Sequence, residues 1–82
     1  MTDWKSEYIL LTRRLVQARA KLGLPQDQFA VKLGVSRRNL QRYETGELDI
    51  PLRIAYSWAD IAGISISVRY GASNPPEEAR TT

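Results

Sequence analysis

The chain has 82 residues, 43 % of them hydrophobic, with 12 Lys and Arg against 9 Asp and Glu, a net charge of +3, and neither histidine nor cysteine. That length fits one small domain with a thin core, and no apolar run approaches the ~20 residues a membrane span requires. Without cysteine there is no disulfide, thiolate metal site or thiol nucleophile, and without histidine the commonest general base and metal ligand are gone. The composition therefore points to a binding module without metal or cofactor rather than to an enzyme. The opening Met1 to Lys5 lacks the basic leader and apolar stretch of a signal peptide, which predicts a cytoplasmic chain.

A first helix is expected from about Asp3 to Leu22. Trp4, Tyr8, Leu11, Leu15, Ala18 and Leu22 recur at steps of four and three and share one face. Asp3 can cap the start, and Gly23 stops the helix just past its C-terminus. A second helix spans roughly Gln26 to Leu33, with Pro25 suiting its first turn, Asp27 complementing the positive end, and Phe29, Ala30 and Leu33 facing inward. Gly34 then takes the left-handed position that ends it.

A third helix is expected after the N-cap Ser36, ending at Thr45-Gly46. Val35, Leu40 and Tyr43 point to the core, while Arg37, Arg38, Gln41 and Arg42 lie on the opposite face. Residues 32 to 42 hold Lys32, Arg37, Arg38 and Arg42 and no acid, so the basic charge is concentrated here. Pro51 opens a fourth helix that runs to about Ala62 before Gly63.

The fourth helix is apolar on two sides. Leu52, Ala55, Tyr56, Ala59 and Ala62 make one stripe; Ile54, Trp58 and Ile61 make another. A surface helix of a monomer buries one face, so the second stripe calls for a partner: helix 1, the C-terminal segment or another protomer. Residues 64 to 70 alternate apolar and polar, with Ile64, Ile66, Val68 and Tyr70 on one side, which predicts a strand pairing with its copy in a second chain. Dimerisation is thus assigned to Ile54, Trp58, Ile61, Ile64, Ile66, Val68 and Tyr70. Residues 1–70 form the expected domain and 71–82 a disordered tail.

Surface arginines alone would fit a plain helical bundle with a solvated basic face. The spacing from Gln26 to Glu44 is more specific. Alanine stands fifth (Ala30), where two helices must approach closely, and glycine ninth (Gly34), where the turn needs a left-handed residue. Apolar residues follow at the tenth, fifteenth and eighteenth positions (Val35, Leu40, Tyr43). This is helix-turn-helix spacing.

From about Leu15 to Ile64 the sequence resembles the phage-repressor and Cro-like, or XRE, helix-turn-helix family. The resemblance is carried by Leu22-Gly23-Leu24, Gln26, Ala30, Leu33-Gly34-Val35-Ser36, Leu40, Tyr43-Glu44 and Thr45-Gly46. It implies an all-α, four- to five-helix domain that binds double-stranded DNA as a dimer. The resemblance further implies that Arg37, Arg38, Gln41 and Arg42 read bases, with Arg37 and Arg38 at the start of the recognition helix suited to guanine. Gln26, Ser36 and Asn39 would meet phosphates, and Arg53 could add a contact from helix 4. Arg19 and Glu44 stand where family members place a partly buried ion pair joining helices 1 and 3. Two departures stand out: Pro25 replaces the usual Ser or Thr cap, and Glu47 and Asp49 put acid where relatives often carry base.

The reading that follows is a homodimeric, nucleoid-associated transcription regulator, a repressor of phage, plasmid or mobile-element type, acting on a palindromic operator. The alternative is an antitoxin that docks a toxin protein through the tail or the Ile54/Trp58/Ile61 face. For an enzyme, carboxylates exist, but no pair sits with a nucleophile, metal cluster or phosphate-cradling glycine loop.

Overall fold

The computed structural model describes residues 3–67, and within them the fold is all-α. Four helices follow in chain order: α1 (Trp4–Leu22), α2 (Gln26–Leu33), α3 (Arg37–Thr45) and α4 (Leu52–Ala62). Each boundary lies within a residue of the expected one. Among the described residues, no helix is long and apolar enough to cross a membrane. Asp3 precedes α1 in an extended conformation, but its carboxylate makes no capping bond; only its carbonyl accepts from the Glu7 N–H, at 3.1 Å.

Helix α4 packs against α1 and α2, α2 packs against α3, and α1 also touches α3. The core they enclose is built on Trp58, Phe29, Leu15 and Leu40, all fully buried, with Leu33, Tyr43, Ile54, Ala55 and Ala59 around them. Each large apolar side chain removed from water in this way contributes about 1.5–3 kcal/mol. The Phe29 and Trp58 rings meet at 5.3 Å between centroids in a tilted arrangement, 58° between planes, within the favourable distance range for an aromatic pair. The Trp58 Nε1–H donates to the Leu15 carbonyl at 2.8 Å, so the buried indole leaves no donor unpaired.

This core corrects two expectations. Ile54 and Trp58 are 6 % and 0 % exposed within a single chain, and Ile61 is half-buried against the same cluster. For Ile54 and Trp58 the partner is inside the molecule, one of the three options their stripe left open, and these two side chains have no free surface for a dimer contact or a toxin; Ile61 keeps part of its surface. Residues 64–67 carry no strand. Past Gly63 the Ile64 N–H turns back to the Ala59 carbonyl at 2.9 Å, and Ile66 covers the core. Within the single chain Ile66 is thus used for packing; Val68, Tyr70 and the expected tail lie outside the described residues.

The first turn of α1 contributes little to the core. Trp4 is 70 % exposed although it continues the buried stripe, and it lines an open groove with Lys5, Tyr8, Ile9 and Asp49. Tyr8 is tied down by its hydroxyl, which accepts from the Ile50 N–H at 3.0 Å.

Candidate nucleic-acid interface

The turn between α2 and α3 is a backbone construction. Gly34, at φ 80°, lets its own N–H reach the Ala30 carbonyl at 2.9 Å while the Val35 N–H reaches the same oxygen at 3.0 Å. A side chain at that φ would be strained by contact with its own carbonyl. Ala30 is buried, which permits the close approach of the two helices. Ser36 then caps α3, its Oγ accepting from the Asn39 N–H at 3.0 Å.

Leu40 and Tyr43 anchor α3 in the core, and their placement turns Arg37, Arg38 and Gln41 to solvent. Arg42 is intermediate, as is Asn39, whose backbone is engaged by the cap. The first turn of α3 carries no acid, so the partial positive charge of its N-terminus adds to Arg37 and Arg38. Arg53 is exposed in the first turn of α4. Among the described residues, no group of three or more Asp, Glu, His or Cys comes together as a metal site.

The acid within α3 is turned inward and neutralised. Arg19 Nε donates to Glu44 Oε2 and Nη2 to Oε1 at 3.1 Å, with the side chains 15 % and 8 % exposed. Arg19 Nη1 also donates to the Leu24 carbonyl at 3.1 Å. The fork geometry of guanidinium on carboxylate suits such a partly buried site. Glu44 Oε1 further accepts from Gln26 Nε2 at 2.7 Å, and Gln26 Oε1 accepts from Gln41 Nε2 at 3.1 Å.

One polar chain thus runs from α1 through Glu44 and Gln26 to Gln41 on the outer face of α3. Gln26 keeps one N–H free at the start of α2, where an acceptor such as a phosphate oxygen could meet it. Sequence spacing gave no sign of the Gln26–Gln41 bond, because the two are 15 positions apart and meet only once α2 and α3 pack. The ion pair of Arg42 with Glu47, Nε to Oε1 at 3.6 Å, was equally invisible, since five positions is not a helical neighbour spacing.

A family model described as helix-turn-helix matches residues 15–68, which takes in the C-terminal part of α1 from Leu15, all of α2 to α4 and the turn at Gly34. The chain belongs to the XRE helix-turn-helix family. This helix-turn-helix chain is also 33 % identical over 64 residues to a protein of Pyrobaculum aerophilum provisionally named an HTH-type transcriptional regulatory protein. The match covers 78 % of the present chain and 26 % of that relative, so the chain spans about a quarter of the relative's length. No solved structure gives a significant match. Within the matched segment α2 and α3, joined by the turn at Gly34, are the paired helices of the motif.

Proposed function

We propose that the chain binds double-stranded DNA sequence-specifically, with α3 in the major groove, and regulates transcription. The observation that carries this reading is the two-sided character of α3: Leu40 and Tyr43 are buried, Glu44 is paired inward, and Arg37, Arg38 and Gln41 stand together in solvent. Arg37 and Arg38 suit bidentate contact with guanine O6 and N7, and Gln41, steadied by Gln26, suits a neighbouring base edge. Arg42 adds a base or backbone contact. Gln26, Ser36, Asn39 and Arg53 supply phosphate contacts that set the helix in register.

The reading extends to a homodimer on a palindromic operator, a repressor of the phage, plasmid or mobile-element type. Two recognition helices then sit about 34 Å apart, one DNA turn. With Ile54 and Trp58 in the core, the dimer contact moves to the outward stripe of α4, where Leu52 and Tyr56 are 69 % and 42 % exposed one turn apart, together with Ile64 beyond its end.

Selection from random duplexes, followed by binding of the winner and a scrambled control at two salt concentrations, tests the reading. Enrichment of a palindrome, with affinity falling steeply as salt rises, is the expected result. Weak binding without enrichment would overturn sequence-specific recognition and reduce the basic face to a general electrostatic patch.

A further inference from the structure

Glu47 is an acid beside the very face that would meet a polyanion, and its position is set by backbone. Gly46, at φ 82°, turns the chain; its N–H donates to the Tyr43 carbonyl at 3.3 Å, and the Leu48 N–H donates to the Arg42 carbonyl at 3.0 Å. Leu48 is packed against the core and holds the turn. Glu47 lies between these two anchored residues, so the chain returns over the last turn of α3 and brings the carboxylate to the Arg42 guanidinium, 3.6 Å from Nε.

The pair is incompletely made. Arg42 Nε is shielded from solvent and has no hydrogen-bond partner, and the Glu47 side chain is 65 % exposed. The Arg42 side chain as a whole is still 37 % exposed, so an incoming anion can reach the guanidinium, and an exposed carboxylate leaves at little cost. Carboxylate and phosphate oxygens offer a guanidinium the same planar, charge-assisted contact.

We propose that Glu47 stands in for a DNA phosphate in the free protein, holding Arg42 and yielding it when a duplex arrives; this rests on the DNA-binding reading above. The competition acts on the phosphate term, which supplies essentially all of non-specific binding. Its effect is therefore to weaken attachment to arbitrary DNA, leaving base contacts by Arg37 and Arg38 to decide where the protein stays.

The test is a titration of a short mixed-sequence duplex with the wild type, Glu47→Gln, Arg42→Ala, the double variant, and Asp49→Asn. Asp49 removes the same charge from the same loop but faces the groove of Trp4, Tyr8 and Ile9. Glu47→Gln is expected to bind about two- to fivefold tighter, the range that an exposed ion pair can supply. That gain should vanish in the Arg42→Ala background and should exceed the gain from Asp49→Asn. In free protein, the Arg42 Nε–H resonance should shift in Glu47→Gln. An equal gain with and without Arg42, an equal gain from Asp49→Asn, or an unmoved Nε–H resonance would overturn the stand-in role alone. A wild type that bound no duplex would overturn the DNA reading itself, and this role with it.

Discussion

Arg19 of α1 holds the Glu44 carboxylate of α3 through both Nε and Nη2, while Gln26 of α2 donates to the same carboxylate. Glu44 is therefore the one side chain of α3 bonded to two other helices, and through Gln26 it is linked to Gln41 on the exposed face. The orientation of that face depends on a charge that never reaches solvent freely.

Replacing Glu44 by Gln leaves the Arg19 guanidinium without its counter-charge in a largely enclosed place. Such a loss costs about 3 kcal/mol where a buried pair is broken from one side. Urea unfolding should show the midpoint fall with the slope unchanged. The double variant Arg19→Met/Glu44→Leu should lose less than the two single changes together. A Glu44→Gln midpoint equal to that of the wild type would remove the ion pair from the account of stability.

Trp58 is buried by its own chain, and the fluorescence of a Trp4→Phe variant, which leaves it the sole tryptophan, reports this directly. Emission should be blue-shifted and resistant to quencher at every protein concentration. A red shift on dilution would return Trp58 to an interface between chains. Trp58→Ala should cost roughly 3–5 kcal/mol, the range for deleting a large aromatic from a core.

The turn and cap before α3 act through backbone conformation. A Cβ at Gly34 would meet no neighbouring atom, yet φ is 80°, so Gly34→Ala should cost about 1–2 kcal/mol by conformation alone. Ser36→Ala should cost about 1 kcal/mol through the lost bond to the Asn39 N–H. Thermal unfolding of both variants checks these values; a Gly34→Ala protein as stable as the wild type would contradict the strain argument.

Arg38 is exposed and bonded to no core element, so Arg38→Ala should leave circular dichroism and unfolding unchanged. On the selected duplex it should lose about 1–3 kcal/mol of discrimination against a scrambled one. An unaltered preference would take Arg38 out of base reading.

The proposed dimer contact is separable from DNA binding. Tyr56→Asp or Leu52→Asp puts charge into the proposed α4 surface and should halve the sedimentation mass while the fold persists. An unchanged mass in both variants would place the contact elsewhere.

The four helices were legible because their ends are local events. Glycines at 23, 34, 46 and 63 each follow a helix with positive φ, and Ser36 opens α3 with its own side chain. The burial of Leu15, Phe29, Leu40 and Tyr43 was legible too, since a period near 3.6 assigns residues to a face whatever they later touch. Arg37, Arg38 and Gln41 follow as the residues left on the other side. Periodicity says which residues share a face, but it carries no information on what covers that face. Only packing decided that Ile54 and Trp58 are covered by the same chain, that Trp4 at the free end of a buried stripe is not, and that Ile66 packs on the core. The bonds from Gln26 to Gln41 and from Glu47 to Arg42 belong with these. Each joins residues brought together by a helix crossing or a chain reversal, and a contact of that kind exists in three dimensions before it can be read along one.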